Sequence, residues 1–199
     1  MRIFVGMERN ETLIFRHAAP EDVERILQII AQAQRQMREA GSQQWQNGYP
    51  AREHIDADLR HGYGYVLQRP DTEDTKNTEA AQAVIAYGAV VFEGEKAYDA
   101  LYEGAWLGEG RYVVLHRLAV ADGEKEHGVA GEFFHRTERL ARKRGVASFR
   151  VDTNFDNHRM LHILPREGFT YCGKVRYESG ERLAFEKRFD AAQTKHKDK

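Results

Sequence analysis

The sequence contains a single cysteine, Cys172, among its 199 residues. One cysteine cannot form a disulfide within the chain, which suits a reducing compartment. The sequence also lacks an apolar run long enough to cross a bilayer, and it lacks the basic start, apolar core and small-residue cleavage site of a signal peptide. We therefore expect a cytoplasmic protein that does not insert into membranes.

The chain has no excess of charge of either sign. It carries 30 lysines and arginines against 31 aspartates and glutamates, so its net charge of −1 gives no general attraction to nucleic acid. Hydrophobic residues make up 41% of the sequence, enough for a globular core, and no internal repeat is evident. The length predicts one domain, over residues 12–190, with flexible termini at residues 1–11 and 191–199.

What the sequence does have is a strand followed by a long amphipathic helix at residues 113–145. Residues 113–120 are largely apolar and rich in β-branched side chains, which predicts a central strand. After a polar turn, side chains recur at steps of three and four residues, which predicts a helix with one stripe along its surface. That stripe comprises Val129, Phe133, Thr137, Leu140 and Arg144.

The turn between this strand and this helix has the composition of an anion site. The N-terminus of a helix presents unpaired N–H groups and a partial positive charge. Gly128 leaves room for a phosphate to approach the backbone, Ala130 is nearly as small, and Lys125 adds a cation. The alternative is an ordinary turn from strand to helix, which a single glycine would favour.

Hydrophobic periodicity and turn residues predict the remaining elements. Strands are predicted at residues 12–18, 63–68, 83–92, 148–153, 169–176 and 182–189, and helices at residues 20–41 and 50–62. A further short helix is predicted after a cap at Thr153 or Asp156, and Pro165 cuts it short or kinks it. Gly88 predicts a bulge in the third strand, and residues 70–79 predict a solvated hairpin tip.

The turn at Lys125, Gly128 and Ala130 resembles the acetyl-CoA motif Arg/Gln-x-x-Gly-x-Gly/Ala of the GNAT superfamily of N-acetyltransferases. Residues 157–169 are similar to the second cofactor segment of that family, an Asn-headed helix closed by Gly-Phe. The resemblance extends over residues 13–189. It implies an α/β (α+β) fold, a single GNAT-like domain with a mixed, mostly antiparallel central sheet flanked by helices, and acetyl-CoA as cosubstrate.

The resemblance also implies which residues hold acetyl-CoA. Backbone groups of the central strand would bind the pantetheine arm, the turn would bind the pyrophosphate, and Asn157 would contact the pantetheine side. The strand residues are Leu118, Ala119 and Val120, and the turn residues are Lys125, His127, Gly128, Val129, Ala130 and Gly131. The chain departs from the family where Lys125 replaces the usual arginine, where Glu126 replaces a frequent glycine, and where Leu164 replaces a tyrosine thought to protonate the leaving thiolate.

His116 is the candidate catalytic base. An unperturbed histidine titrates near pH ~6.5, which suits removal of a proton from an ammonium substrate. Two-residue alternation predicts that His116 shares a strand face with Leu118 and Val120. The alternative is a hydrogen-bonded core histidine. Tyr171 and Tyr177 are the nearest candidate acids by sequence, although a coenzyme A thiolate leaves readily enough that the acid is dispensable.

Four aromatic residues are candidates for an acceptor pocket. Trp45 and Tyr49 lie in a polar loop. Tyr102 and Trp106 lie in a segment between two strands that contains several glycines. The functional hypothesis is that the two pairs face each other as walls of the pocket. The alternative is that these aromatic side chains only pack against the core.

No metal site is predicted. His158 and His162 are one helical turn apart, as two metal ligands would be, but no third ligand with a recognisable spacing accompanies them. Cys172 is expected to be a small core residue rather than a nucleophile.

The resemblance to the GNAT family implies transfer of an acetyl group from acetyl-CoA to a primary amine, by direct attack within a ternary complex. The aromatic pocket favours a small-molecule amine over a protein tail as the acceptor partner. A function of another class, a CoA-binding sensor or partner-binding module without turnover, is favoured by Lys125, Glu126 and Leu164. A homodimer is left open, and the sequence does not determine the acceptor amine.

Overall fold

The computed structural model describes residues 13–70 and 84–189. Within these ranges the chain forms seven strands, which are β1 (Ile14–His17), β2 (Gly64–Gln68), β3 (Val84–Val91), β4 (Tyr112–Val120), β5 (Ser148–Thr153), β6 (Thr170–Tyr177) and β7 (Gly180–Arg188). The same residues form four α-helices, which are α1 (Val23–Glu39), α2 (Arg52–His61), α3 (Val129–Lys143) and α4 (His158–Arg166). The predicted flexible termini and residues 71–79 of the predicted hairpin tip lie outside the described residues, so the domain limits at 12 and 190 stay a prediction.

The first two helices form where the sequence places apolar side chains at helical spacing. Along α1, buried Val23, Ile26 and Ile30 share one stripe, as a helix that packs on a core requires. The chain enters α1 through a turn at Pro20–Asp22, where the fixed φ of proline suits a helix start. The helix α2 ends at Gly62, whose φ of 71° is left-handed and costs glycine no strain. Both helices confirm the sequence predictions.

The strands form one mixed sheet in the order β1-β2-β3-β4-β5-β7-β6. Every neighbouring pair is antiparallel except β4 and β5, which run parallel. Helix α3 connects these two strands, because a parallel pair requires a crossover connection. Strand β7 inserts beside β5 and leaves β6 at the edge. The predicted mixed, mostly antiparallel sheet flanked by helices is confirmed.

The helices pack on both faces of this sheet. Neighbouring strand residues such as Val66 and Leu67 belong to different core clusters, as alternation along a strand requires. Helices α3 and α4 cover one face, where Phe133, Phe149 and Phe169 join the largest cluster. Helices α1 and α2 cover part of the other face. Among the described residues, no helix combines the length and the apolar character needed to cross a bilayer.

Strands β4 and β5 pair over only part of their length. Three register pairs join them, ending at Val114 opposite Arg150. Beyond that point β4 continues to Val120 and β5 to Thr153, and no further register pair joins the two strands in this part of the described chain. Their facing backbone N–H and C=O groups therefore remain for other partners. An extended ligand can hydrogen-bond to the sheet at this opening.

A bulge interrupts β4 beside the opening. The register between β3 and β4 shifts by one residue, so that Gly88 alone lies opposite both Arg117 and Leu118. Arg117 has a φ of 58°, a left-handed conformation that marks the irregular position. An irregularity does occur opposite Gly88, but the bulge lies in β4 and not in the third strand, where it was predicted.

The bulge overturns the predicted placement of His116. The extra residue inverts the alternation along β4, since side chains alternate between faces with a period of two. Leu118 and Val120 pack against the cluster under α3, whereas His116 lies on the face of Val114, where it meets Glu95. The prediction that His116 shares a face with Leu118 and Val120 is therefore wrong.

The start of α4 also differs from the prediction. Asn157 caps this helix, because its side-chain oxygen accepts the backbone N–H three residues later at 3.1 Å. The prediction of Thr153 or Asp156 as the cap is wrong. The carboxylate of Asp156 instead accepts the Ser42 hydroxyl at 2.7 Å, which ties the end of α1 to this segment. Pro165 lies in the last turn, and the helix ends one residue later.

Gly104 lies where the chain between β3 and β4 crosses β6, and we expect its replacement by alanine to destabilise the fold. A Cβ atom there would lie 2.0 Å from the backbone oxygen of Cys172, which cannot move aside as a flexible side chain can. Tyr102 and Lys174 join the same crossing through backbone hydrogen bonds of 3.0 and 2.8 Å. We expect Gly104→Ala to lower the free energy of unfolding in urea by about 1–3 kcal/mol.

The control for this prediction is Gly123→Ala. Nothing lies within 4 Å of the Cβ position of Gly123, so we expect a change of less than about 0.5 kcal/mol. Equal losses for the two variants would show that the approach of Gly104 to the β6 backbone is not what constrains the position.

Candidate active site

A cleft of about 1790 Å³ lies beside the opening between β4 and β5. It is lined by the end of β4, the following turn, the first turns of α3 and the start of α4, and α1 contributes to one side. All ten residues predicted to hold the cofactor line this cleft, namely Leu118, Ala119, Val120, Lys125, His127, Gly128, Val129, Ala130, Gly131 and Asn157. Their roles in binding stay a prediction.

The turn before α3 presents backbone amides to the cleft. Gly128 precedes the helix with a φ of 76°, and its carbonyl accepts the N–H of Glu132 at 2.9 Å. The N–H groups of the residues between them lie too early in α3 to find an intrahelical acceptor, and the helix dipole adds partial positive charge. Anion binding therefore suits these amides. The carboxylate of Glu167 opposes an anion on one side of the turn, where it lies 2.7 Å from the Cβ position of Gly131.

Lys125 lines the cleft but already has a partner. Its Nζ donates to Oδ1 of Asp122 at 2.7 Å, and this hydrogen bond holds the pKa of the Asp122 carboxyl below its usual range. Arg35 contributes to the same effect from α1. A bound phosphate would share this ammonium with Asp122, so Lys125 offers the cleft less than a full positive charge.

Two arginines on α3 add positive charge that the sequence analysis missed. Arg136 and Arg139 line the cleft, and both donate to Oε1 of Glu132, Arg139 at 3.1 Å. Their spacing from Glu132 places all three on one face of the helix, which the sequence pattern could have revealed. Beside the amides of the turn, the cleft therefore carries two guanidinium groups that share one carboxylate, Glu132.

Asn157 and Leu164, two further residues that the resemblance to the family singled out, have structural roles. Asn157 uses its oxygen to cap α4 and donates its amide N–H to Oε1 of Gln44 at 2.8 Å, so both of its polar ends are engaged. Leu164 is completely buried in the core cluster under α3 and α4. An aliphatic side chain at this position serves packing and cannot donate a proton.

His116 lies on the face of β4 opposite to α3 and is paired with Glu95. Its Nε2 lies 3.1 Å from Oε2 of Glu95, while the other oxygen of Glu95 accepts the Ala97 N–H at 3.2 Å. The hydrogen bond from His116 lowers the pKa of the Glu95 carboxyl, burial opposes this, and the Ala97 N–H adds to it. A carboxylate at Nε2 assigns the proton of a neutral imidazole to that nitrogen and leaves the lone pair on Nδ1. The sequence analysis missed Glu95.

Tyrosine hydroxyls surround a second carboxylate near this pair. Tyr98 and Tyr177 donate to Oδ1 of Asp152 at 2.8 and 3.1 Å. Burial raises the pKa of the Tyr177 phenol, and the charges of Asp152 and Glu95 raise it further, so this candidate acid holds its proton firmly. Tyr171, the other candidate acid, is 48% exposed and stacks edge-on against Phe185.

The four aromatic residues of the predicted acceptor pocket belong to two different neighbourhoods. Trp45 packs against the core under α1 and α2, and the Tyr49 hydroxyl accepts a hydrogen bond from Arg117 at 2.6 Å. Trp106 donates its indole N–H to the backbone of a neighbouring segment at 3.0 Å, and the hydroxyl of Tyr102 donates to Glu181. Within the described residues, no ring contact joins the two pairs. These contacts favour the packing role for Tyr102 and Trp106.

Metal ligands are not assembled in the described part of the chain, residues 13–70 and 84–189. No three histidine, cysteine, aspartate or glutamate side chains there come together as a metal ion would require. His162 instead lies 3.2 Å from Arg166. Cys172 is buried, and burial raises the pKa of its thiol, as expected of a core cysteine.

The chain is similar over most of its length to solved acetyltransferase structures. A GNAT-family acetyltransferase from Streptococcus agalactiae 2603 is 34% identical with a TM-score of 0.76, and the match covers 90% of this chain and 96% of that chain. A GNAT-family acetyltransferase from Listeria monocytogenes 4b F2365 is 21% identical with a TM-score of 0.66, over 89% of this chain and 95% of that chain. The paiA N-acetyltransferase from Thermoplasma acidophilum, solved in complex with coenzyme A, is 11% identical with a TM-score of 0.63, over 89% of this chain and 99% of that chain.

The last two similarities are below 25% identity and show the shared fold alone. No protein-family model matches the chain, and no curated protein matches it by sequence.

Proposed function

The chain belongs to the GNAT family of acetyltransferases, and from this premise we propose that it acetylates a small-molecule primary amine by direct attack on acetyl-CoA in a ternary complex. It is an N-acetyltransferase that uses acetyl-CoA as cosubstrate. Family membership favours an enzyme over a CoA-binding module without turnover. The acceptor and the residues in contact with it are the new part of the proposal.

The cleft suits acetyl-CoA in charge and in backbone geometry. The amides at the start of α3 suit the pyrophosphate, and Arg136 and Arg139 add positive charge nearby. The edge of β4 that no longer pairs with β5 offers N–H and C=O groups to the amides of the pantetheine arm. When bound, acetyl-CoA supplies an acetyl group activated as a thioester with a readily departing thiolate. The fully buried Leu164 supports a reaction that proceeds without a dedicated acid.

The observation that carries the proposal is the pair formed by His116 and Glu95. An alkylamine is protonated at neutral pH and must lose a proton before it can attack. In the proposed reaction the Nδ1 atom of His116 takes that proton, directly or through one water, and the pairing of Nε2 with Glu95 at 3.1 Å supports this role because it leaves the lone pair on Nδ1. This arrangement favours His116 as a base over a purely structural histidine.

The depth of this pair favours a slender acceptor. The side chain of His116 is 19% exposed and that of Glu95 is 24% exposed, so the amine must reach below the surface to meet the base. A small amine needs a narrower path to this pair than a segment of a protein does. A side chain of a folded protein could reach this depth only if the backbone of that protein came close to the surface around His116 and Glu95.

Release of coenzyme A thiol from acetyl-CoA, measured with a panel of acceptors, tests the proposed function. The panel should contain small primary amines, amino acids and short peptides, because one solved structure of the same fold is the NatC complex bound to Gag peptide and CoA. We expect thiol release to depend on a small primary amine, with an amide product confirmed by mass spectrometry. Thiol release with peptides and with no small amine would overturn the acceptor class.

A further inference from the structure

Arg117, the residue that forms the bulge of β4, is locked in a bidentate ion pair with Asp58 of α2. Its Nε donates to Oδ2 of Asp58 at 2.8 Å, and its Nη2 donates to Oδ1 at 2.5 Å. Tyr87 of β3 donates its hydroxyl to the same Oδ2 at 2.6 Å. Both charged side chains are enclosed, with exposures of 15% for Arg117 and 3% for Asp58. Such a fork fixes the orientation of both partners, as a single hydrogen bond would not.

Two members of this network, Arg117 and Tyr87, hold their protons firmly. Burial alone would lower the pKa of the Arg117 guanidinium, but the hydrogen bonds and charge of Asp58 outweigh it and raise that pKa. Burial and the charge of Asp58 raise the pKa of the Tyr87 phenol, so Tyr87 remains a donor. Arg117 therefore keeps the positive charge that it brings to the fork with Asp58.

A third hydrogen bond of Arg117 joins this network to the loop between α1 and α2. The Nη1 atom of Arg117 donates to the hydroxyl of Tyr49 at 2.6 Å. Gln34 of α1 holds the same segment by donating to the carbonyl oxygens of Tyr49 and Pro50 at 3.1 and 3.2 Å. A hydroxyl that accepts from a guanidinium still has its own proton to donate elsewhere. Arg117 thus connects the β4 bulge to the loop that carries Tyr49, a residue of the predicted pocket for the acceptor amine.

In β4, Arg117 lies between two residues of the proposed function. Its neighbour His116 is the proposed base and pairs with Glu95, and its other neighbour, Leu118, lines the candidate cofactor cleft. We propose that Arg117 is a positioning residue, whose ion pair with Asp58 holds the base, the cofactor strand and the Tyr49 loop in one fixed relation. This inference rests on the proposed function, because it concerns how the two substrates are aligned.

A purely structural ion pair would have different consequences. Removal of one partner leaves a buried charge, whereas neutral replacement of both partners is often well tolerated. The double variant Arg117→Met/Asp58→Asn leaves no charge unpaired and keeps an oxygen to accept from Tyr87. If the pair serves stability alone, this double variant regains the wild-type activity together with the wild-type melting temperature.

We expect the double variant to melt close to the wild type but to turn over the amine with a kcat/KM about 10²-fold lower, since a misplacement of about 1 Å has that effect. The dissociation constant for acetyl-CoA should change much less than kcat/KM, because in the proposed function the amides at the start of α3, away from the bulge, bind the pyrophosphate. Tyr87→Phe is the matched control. It removes a buried hydrogen bond to Asp58 while leaving the fork to Arg117 intact, so it should lower stability and leave kcat/KM unchanged.

Hydrogen exchange over residues 42–51 provides a second measurement that needs no turnover. We expect faster exchange in the double variant and wild-type exchange in Tyr87→Phe. Wild-type exchange in the double variant, or a wild-type kcat/KM for the amine, would overturn the inference. Absence of amine turnover by the wild type would instead overturn the proposed function, and the exchange result would still show whether Arg117 ties the loop to the bulge.

Discussion

Gly128→Val should abolish the binding of acetyl-CoA while the fold remains intact. Gly128 has a φ of 76° immediately before α3, in the turn whose amides suit a pyrophosphate. A left-handed conformation costs an L-residue about 1–2 kcal/mol, and a β-branched side chain is still less suited to it. Valine would therefore shift the turn, and its side chain would also occupy space that the phosphates need in the cleft.

Thermal denaturation with and without acetyl-CoA measures this effect. Ligand at about 100 times its dissociation constant should stabilise the wild type by roughly 2.7 kcal/mol, and we expect that stabilisation to vanish in Gly128→Val. Gly62→Val is the control, because Gly62 has a similar φ of 71° at the end of α2 and lies outside the cleft lining. It should carry a comparable strain and keep the full response to acetyl-CoA. Normal binding by Gly128→Val would mean that the phosphates lie elsewhere.

His116→Ala should lower turnover about 10²-fold at neutral pH, which is the usual scale for loss of a general base. The deficit should shrink as the pH rises, because the amine then loses its proton without help. Glu95→Gln should also lower turnover, since a neutral amide at Nε2 no longer requires the lone pair of the ring to lie on Nδ1. The pH–rate profile of each variant measures whether His116 acts as the general base.

His61→Ala is the control for this histidine. His61 is exposed at the end of α2 and bonds through Nδ1 to the carbonyl of Ala57 at 2.8 Å. We expect the wild-type profile from this variant. A profile of His116→Ala that runs parallel to the wild type at every pH would show that His116 is a structural residue and that the base lies elsewhere.

Several features of the fold and of the candidate site were predictable from local sequence. The stripe of α1, the glycine that ends α2 and the glycine turn before α3 each depend on residues within one or two turns of each other. The two cofactor segments were recognised by resemblance, and the structure brings residues from both into one cleft. Patterns of this kind survive folding because helix stripes, caps and left-handed glycines are set by neighbouring residues.

Other features could not be read from the sequence because they depend on how distant segments meet. The face of His116 is decided by a bulge, and the bulge exists because β3 and β4 pair in one particular register around Gly88. Asn157 caps α4 because the rival carboxylate, Asp156, is drawn to Ser42, 114 residues away.

By itself, therefore, the sequence determined the types of most elements, the glycine turn before α3 and, through resemblance, the family. Only the tertiary structure decided the partners of the reactive groups. Glu95 reaches His116 from a different segment, and Asp58 reaches Arg117 across 59 residues of chain. The physical reason is that a hydrogen bond or ion pair requires atoms within about 3 Å of each other. Residues this far apart in the sequence come that close only when the chain has folded.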